Sequence, residues 1–521
     1  MPLHADQTRP PAGRMTRRLL LGGAGSLLAR PQPAAAQRGE AVLSVVSPWE
    51  YTSDDPADTG YIHTRMGVAE TLVGVEPDGR LVGGVAESWS VAADRLTWRF
   101  RIRGGALFHD GSPVTPEAVA RSLRTAFVGE SLSSVPLEGI ATEGDAVLIR
   151  TKTPFAPLPA FLVDYAGIIL APSAYGPDGK VRQIVATGPY RLAKVDGRTV
   201  LELERFDGYW GPKAAIARAR HTAVPNGETR ANIALAGDAD LVFTLAPQAV
   251  ARIGAGGQAK VESLTIPRLR FITLNGGLPQ FEHVRVRRAL SLGIDRAGIA
   301  AGILRHPASA ATQLLPPVLA EWHNPALPPL RTDTAAARTL LDEAGWHAGP
   351  DGIRARNGVR LAAKMLVPAN RPELPVVATA VQAQLRAIGL EMAIEAVQVS
   401  AIPDAVRDGT MQMALIARTY VNVPDPVATI IPDYTRERSV WGTLNWPRRD
   451  QMRARTDEYV ASFDAARRAV LRQEITALIH DDMPVIPVSW FEHTVAVSRR
   501  VGTVVVDPFE TRYLLDRMTW S

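Results

Sequence analysis

Segments with the periodicity of a β-strand alternate with segments with the periodicity of an α-helix, and this alternation is the strongest constraint on the fold. Residues 96–102, LTWRFRI, are alternately apolar and polar, which is typical of a half-buried strand. Residues 115–127, TPEAVARSLRTAF, predict a helix with Thr115 as N-cap and Pro116 in the first turn. The alternation predicts an α/β fold with largely parallel sheets.

Two further segments extend this pattern. Residues 41–47, AVLSVVS, are apolar and β-branched and end at Pro48, as expected of a buried first strand. Residues 284–296, VRVRRALSLGIDR, predict an amphipathic helix with its arginines on the solvent face. Because the 521 residues exceed the size of one hydrophobic core, we expect two or three domains.

Residues 1–36 predict a cleaved export signal. Arg17 and Arg18 precede a short apolar run, three alanines at 34–36 follow it, and the paired arginines are typical of the twin-arginine route. The run is much shorter than the ~20 residues of a membrane span. Met1 and Met15 are both candidate start residues, and an amphipathic or disordered tail is the alternative interpretation.

Charge and cysteine content limit the function classes. The formal charge is +5, of which residues 1–36 carry +4, so the chain without them is close to neutral and nucleic-acid binding is not indicated. The absence of cysteine excludes disulfides, thiolate metal sites, a cysteine nucleophile and a lipid-anchored signal cysteine. We expect a soluble periplasmic protein that is not a lipoprotein.

Catalytic and cofactor motifs are absent from the sequence. It contains no G-x-S-x-G, H-E-x-x-H, Walker A or G-x-G-x-x-G pattern. No two of its ten histidines stand three to five residues apart, the spacing that zinc ligands on one helical face require. Residues 108–111, FHDG, predict a turn in which Asp110 bonds local backbone, rather than a catalytic pair. We expect no enzyme activity, no cofactor and no metal ligands.

Six stretches, in the same order, resemble the peptide/nickel class of extracytoplasmic solute-binding proteins of ABC importers, solute-binding protein family 5. The longest runs from VAETLVGVEPDG through TPEAVARSL at residues 68–123. The others are ATGPYRL, ERFDGYWG, FEHVRVRRALSLGIDR, AARTLLDEAGW and MPVIPVSW. The resemblance covers nearly all of the chain after residue 36.

This resemblance implies a periplasmic binding protein type 2 fold, in which two α/β lobes are joined by a pair of hinge strands and close on a ligand between them. The implied organisation is lobe 1 at 37–275 with an extra subdomain at roughly 75–182, lobe 2 at 276–486, a return to lobe 1 at 487–521, and strand crossings near 271–277 and 484–490.

The loop at residues 418–426, RTYVNVPDP, matches the place where peptide-binding members hold an aspartate for the ammonium group of the peptide. That aspartate stands four residues before a proline. Here the residue four positions before Pro426 is Asn422. A neutral amide cannot supply the counter-charge for a buried ammonium group. Asp425 is either a substitute acid or a residue that caps the loop.

The nickel-chelate members have an aromatic residue six positions before this proline, and Tyr420 fits that position. They also have an arginine shortly before the stretch that matches residues 171–173, and some have a histidine ligand; neither has a counterpart here. Tyr420 and Trp441 are candidates for stacking on a ligand or for packing against the loop, and Arg436 or Arg438 for binding a carboxylate.

The sequence therefore predicts a non-catalytic, monomeric binding protein with an ABC permease and ATPase as partners. Its ligand is a short or N-blocked peptide, an opine-like amino-acid conjugate or a metal chelate. The alternatives are an exported hydrolase or metalloenzyme, and a ligand sensor for a chemoreceptor.

Overall fold

The computed structural model describes residues 41–129, 132–369, 371, 373–420 and 422–521, so the predicted export signal lies outside the described residues. Within these ranges, every helix is too short or too polar to cross a bilayer.

Up to residue 258 the helices and strands are β1 Val42–Ser47, α1 Pro56–Arg65, β2 Val73–Val75, β3 Leu81–Gly83, β4 Ala86–Val91, β5 Thr97–Ile102, α2 Pro116–Ala126, β6 Leu137–Glu143, β7 Ala146–Thr151, α3 Leu158–Phe161, β8 Tyr190–Asp196, β9 Val200–Arg205, β10 Arg218–Ala223, α4 Gly227–Ala236, β11 Leu241–Phe243 and α5 Pro247–Gly256.

From residue 259 they are β12 Ala259–Leu274, α6 Val284–Gly293, α7 Arg296–Gly298, α8 Thr334–Glu343, β13 His347–Ala348, β14 Arg354–Arg356, β15 Val359–Arg360, β16 Ala362–Pro368, α9 Glu373–Ala387, β17 Glu391–Val397, α10 Ala401–Arg407, β18 Met413–Thr419, α11 Val427–Tyr434, α12 Arg449–Ala461, α13 Ala465–Asp482 and β19 Val485–Ser498. Single turns of 3-10 or π helix occur at Tyr165–Gly167, Pro172–Ala174, Ile299–Ile303, Pro307–Ser309 and Leu515–Arg517.

The predicted first strand, β5 and α2 are confirmed. Trp98, Phe100 and Ile102 are buried along β5, while the residues between them face outward. The Thr115 side chain accepts the backbone N–H of Ala118 and so caps α2. The α/β class is therefore correct at the level of individual elements.

A ten-stranded mixed sheet is the centre of the fold, in the order β17-β16-β18-β12-β19-β11-β1-β10-β9-β8. Only β1 with β10 and β11, and β16 with β17 and β18, pair in parallel among the described strands of this sheet. The prediction of largely parallel sheets was wrong, because the long strands β12 and β19 run antiparallel to each other and to their neighbours.

β12 and β19 lie in the middle of this sheet and connect its two halves. β12 pairs with β18 through residues 268–274, on the side of β16 and β17, whereas β19 pairs with β11 through Val495 to Val497. Between these two regions two residues of β12, Pro267 and Arg268, have no partner in β19, and Val488 of β19 is skipped between Arg270 and Phe271. Because proline has no N–H to donate, it disrupts the ladder and favours a bulge at this crossing.

The strand crossings predicted near 271–277 and 484–490 overlap the C-terminal end of β12, where it pairs with β18, and the N-terminal end of β19. A separate antiparallel sheet, β4-β5-β7-β6, lies within the range expected for the extra subdomain. In the turn between β5 and α2, the Asp110 side chain accepts the backbone N–H of Ser112, as predicted. The lobe boundaries at 275 and 486 stay predictions.

Helix α6 corrects one interpretation of the sequence. Arg287 is buried rather than solvated: its guanidinium binds the Asp482 carboxylate at 2.6 Å and donates to the backbone oxygens of Phe281 and Glu282. Periodicity alone placed this arginine on the polar face, but the end of α13 packs there and supplies the missing counter-charge.

The histidines His63, His109 and His221, which are buried or half-buried, make the fold sensitive to acid. Burial lowers the pKa of His63 to about 3 and the pKa values of His109 and His221 to about 4. His221 is bonded to Ser47, whereas neither ring nitrogen of His63 has a hydrogen-bond partner among the described residues. Because the folded state holds these rings neutral, stability is complete above the ordinary pKa near 6.5 and is lost as pH falls towards 4.

We expect His63→Phe to weaken this acid sensitivity. The substitution removes a titrating group, fills the same space beside Tyr51 and breaks no hydrogen bond. The variant should retain about 2–3 kcal/mol more unfolding free energy at pH 4.5, relative to pH 7, than the unaltered protein. Urea unfolding midpoints at both pH values measure this, with the exposed His347→Phe as control; an unchanged pH dependence for His63→Phe would contradict the assignment.

Candidate ligand-binding site

A small cavity lies where the two lobes meet the hinge. Its walls come from α1, the segment at 163–165 and the C-terminal segment at 509–511. Thr419 at the end of β18, Asn422 after this strand and Arg268 of β12 complete the lining. Its volume is about 40 Å³. Residues from both of the predicted lobes therefore line one partly open cavity, as expected of a site that forms when lobes close.

Arg268 and Glu510 form the central ion pair of this cavity. Their side chains are 17% and 5% exposed, and Arg268 Nη2 donates to Glu510 Oε2 at 2.7 Å. Burial alone would raise the pKa of Glu510, but Arg268, His493 and Arg65 lower it below its usual range. Glu510 is therefore ionised and fixes the position of Arg268.

The backbone around Glu510 is held by a single carboxylate. Asp507 accepts the backbone N–H groups of Phe509, Thr511 and Arg512 at 2.9–3.0 Å. Glu510 has a φ of +54°, an uncommon conformation for a residue other than glycine. The sequence DPFETR builds this turn, and an aspartate followed by proline was the signal that sequence reasoning missed.

Arg65 adds a second positive charge. Its Nε donates to the backbone oxygen of Glu510 at 2.8 Å, and its guanidinium lies 5.1 Å from the Trp49 ring and 5.2 Å from the Tyr61 ring. Tyr61 in turn makes an edge contact with Tyr165 at 5.6 Å. With Arg65, Arg268 and Glu510 as the charged groups in its lining, the cavity has a surplus of one positive charge.

The bulge at Pro267 explains why Arg268 points here. Tyr420 donates its backbone N–H to the oxygen of Pro267 at 2.8 Å, which docks the start of the 418–426 loop onto the hinge. Arg268 is paired with Thr419 in the β12–β18 ladder. A proline inside an otherwise strand-like segment was a readable signal of this irregularity.

The structure separates the aromatic candidates from Asn422. Asn422 is exposed and lines the cavity, whereas Tyr420 is buried, with its hydroxyl 2.9 Å from that of Tyr434. Trp441 is half-buried and packs against the hydrophobic core. Tyr420 and Trp441 therefore both pack against neighbouring side chains, which is one of the two possibilities given for them. The binding role of Asn422 stays a prediction.

Asp425 caps the loop. Its Oδ1 accepts the backbone N–H of Val427 at 3.1 Å, and its Oδ2 accepts the Tyr459 hydroxyl at 2.8 Å and Arg468 Nη2 at 3.1 Å. Desolvation raises the pKa of Asp425, although Arg468 acts against this. Because Asp425 already has an arginine partner and uses three of its roughly four acceptor sites, it is poorly suited to hold an additional ammonium group.

Asp425 also borders a second, wider cavity between the lobes, with a volume of about 470 Å³. Phe509 lines both cavities and so separates them. The two cavities are called the arginine cavity and the wide cavity below.

Arg436 and Arg438 line neither cavity. Both are exposed, and Arg438 donates instead to the backbone oxygen of Arg407 at 3.3 Å. The arginines that line the arginine cavity are Arg65 and Arg268, which come from α1 and β12 and are remote in sequence from the 418–426 loop. Sequence reasoning had no means of bringing these segments together.

Comparison with known proteins decides the family. Residues 80–439 match the family described as Bacterial extracellular solute-binding proteins, family 5 Middle. The chain belongs to family 5 of the bacterial extracellular solute-binding proteins. This confirms the resemblance found in the sequence.

Individual relatives agree with this assignment. The chain is 24% identical over 500 residues to the nickel-binding periplasmic protein of Escherichia coli, covering 90% of this chain and 94% of that protein. It is 29% identical over 349 residues to the glutathione-binding protein GsiB of Salmonella choleraesuis, covering 64% of this chain and 65% of that protein.

Solved structures confirm the two-lobe fold. NikA from Brucella suis in complex with Fe(III)-EDTA superimposes with a TM-score of 0.84 at 24% identity, covering 92% of this chain and all of that one. The oligopeptide-binding protein AppA from Bacillus subtilis, in complex with a nonapeptide, gives a TM-score of 0.73 at 18% identity, with 92% and 99% covered.

In this family 5 protein, residues of the predicted lobes also contact each other outside the two cavities. Phe463, in the turn between α12 and α13, lies 5.8 Å from the Trp98 ring of β5 and 5.4 Å from the Arg95 guanidinium. Nearby, Ala156 donates its backbone N–H to the oxygen of Val460 at 2.6 Å. These contacts join the region of the β4–β7 sheet to the turn between α12 and α13, which the sequence assigns to different lobes, and we expect them to stabilise a closed form.

We expect Phe463→Ala to favour the open form. Loss of one aromatic pair and one cation–π contact removes about 1–2 kcal/mol from the closed form alone. The ligand-free variant should have a larger radius of gyration by small-angle X-ray scattering and release a bound solute about five- to thirtyfold faster.

Phe206→Ala is the matched control, because the half-buried Phe206 ring contacts His109 within one lobe. Equal release rates for the two variants would show that the Phe463 contact does not hold the lobes together.

Proposed function

We propose that this protein is the periplasmic solute-binding component of an ABC importer and that it captures a small carboxylate-bearing solute in the arginine cavity. The observation that carries the proposal is a cavity formed jointly by both lobes and the hinge, with one positive charge more than its lining neutralises. A half-buried surplus charge such as that of Arg65 favours a ligand of opposite charge.

The acids near the cavity support an anionic rather than a cationic ligand. Asp425 is bonded to Arg468, Asp433 receives two hydrogen bonds from Arg418 at 2.7 and 3.0 Å, and Glu510 is bonded to Arg268. Each carboxylate thus already has an arginine partner. The ligand classes that fit are an N-blocked peptide, an amino-acid conjugate and a metal chelate with free carboxylates.

Transport follows from closure. A ligand that binds the closed form more tightly shifts the lobes toward it, and a membrane permease with its ATPase then receives the closed complex. The protein acts as an exported monomer and performs no reaction on its ligand. A chemoreceptor that reads the same closed form is the second candidate partner, and an exported hydrolase is not favoured by family membership.

Native mass spectrometry of protein purified gently from the periplasm tests this function. We expect a discrete added mass that is lost on denaturation and corresponds to a molecule with at least one carboxylate. A purely cationic bound molecule would contradict the proposed charge preference, and failure of any small molecule to co-purify or to shift the melting temperature would contradict solute binding.

We expect Asn422→Asp to weaken binding of the carboxylate solute. The new charge cancels the surplus of the arginine cavity and should lower affinity about three- to tenfold, with a smaller effect at high salt. The same variant should gain affinity for a dipeptide with a free amine, because an acid then stands at the Asn422 position. Isothermal titration calorimetry measures both effects.

Asn357→Asp, in the exposed turn between β14 and β15, adds the same charge far from the cavity and is the control. If both variants bind the solute equally, Asn422 does not contribute to recognition.

A further inference from the structure

The two cavities between the lobes differ greatly in size. At about 40 Å³ the arginine cavity has room for about three water-sized groups, since one ordered water needs ~10–15 Å³. A carboxylate group fits this space, but the rest of any solute does not. The wide cavity, at about 470 Å³, adjoins it at Phe509.

The lining of the wide cavity holds three acids, Asp78, Glu321 and Asp425, and two arginines, Arg80 and Arg468, and each of them has a partner of opposite charge inside or beside the cavity. Asp425 is bonded to Arg468, Glu321 lies 3.2 Å from Arg472, and Arg80 lies 3.8 Å from Asp78. Every charged side chain in its lining therefore has a partner of opposite sign. It offers no unpaired charge that a ligand would be needed to neutralise.

Apolar side chains cover the remaining wall. Trp322 makes an edge contact with Tyr459 at 5.2 Å and is nearly buried, as are Leu319 and Phe509. The full apolar lining consists of Leu81, Ala156, Pro157, Pro159, Ala160, Val318, Leu319, Ala320, Trp322, Pro424 and Phe509. Such a surface favours burial of hydrocarbon over water.

The same loop connects the two cavities. Asn422 faces the arginine cavity, and Pro424 and Asp425, two and three residues later, face the wide cavity. A solute that binds Arg268 through a carboxylate would therefore place its remaining atoms beside Phe509, which lines both cavities.

We propose that the ligand is amphipathic: a carboxylate bound in the arginine cavity carries a bulky apolar group that fills the wide cavity, and no free ammonium group is present. An N-acylated amino acid or an N-blocked apolar peptide has this chemistry. This inference rests on the proposed function and narrows its ligand class.

Three synthetic compounds separate the two parts of the ligand. N-octanoyl-L-alanine has both parts, N-acetyl-L-alanine lacks the long apolar group, and the methyl ester of N-octanoyl-L-alanine lacks the carboxylate. Calorimetry on protein freed of bound solute by reversible unfolding should give at least tenfold tighter binding for the first compound than for either other, since each buried methylene favours binding by roughly fourfold.

A matched pair of variants locates the apolar contact. Val318→Asn places an amide in the wall of the wide cavity and should weaken N-octanoyl-L-alanine binding about fivefold, with little effect on N-acetyl-L-alanine. Val376→Asn makes the same change at an exposed position of α9 and should alter neither.

The inference is overturned if the octanoyl compound gains nothing over the acetyl compound, or if its gain is the same in both variants. If native mass spectrometry still finds a bound solute in that case, solute binding stands and only the amphipathic ligand class fails. A ligand-free native protein that binds no compound would instead overturn the proposed function itself.

Discussion

The antiparallel pairing of β12 with β19 is the interaction on which the remaining structure depends. It extends from Ala259 opposite Ser498 to Thr273 opposite Val485, and the strands of both lobes join the ten-stranded sheet through it. A regular ladder resists bending, whereas a bulge has unpaired groups and stronger local twist. Motion between the lobes is therefore expected to concentrate between Ile266 and Phe271 of β12, where the ladder has two irregularities.

One of these irregularities supplies the chemistry of the arginine cavity. Arg268 stands at it, and its position is fixed by Glu510, which comes from a turn that Asp507 holds through backbone hydrogen bonds. Because this ion pair is nearly buried and Arg65 adds another charge, the cavity carries an electrostatic cost that an anionic ligand relieves. The arginine cavity shares Arg268 with β12, so the proposed ligand site predicts that ligand charge and lobe closure are coupled.

Affinity in such a protein is shared between ligand contacts and contacts between the lobes. The Phe463 ring touches Trp98 and Arg95 without lining either cavity, so it stabilises the closed form whatever solute is bound. Arg95 is held for this contact by a tight turn, in which its φ is +56° and Asp94 accepts the backbone N–H groups of Leu96 and Thr97. Solute selection and closed-state lifetime can therefore vary independently.

Local patterns in the sequence determined β1, β5, α2 with its Thr115 cap and the Asp110 turn, because periodicity and capping depend on neighbours within a few residues. Ordered resemblance to family 5 determined the two-lobe fold and pointed to the loop with Asn422. Only the tertiary structure decided that Arg287 is buried against Asp482, that Tyr420 packs against Tyr434, and that Arg65, Arg268 and Glu510 meet in one cavity. These groups are separated by up to 445 positions in the chain, and the free energy of burying a charge depends on which distant side chain or carbonyl lies opposite it, which no local pattern encodes.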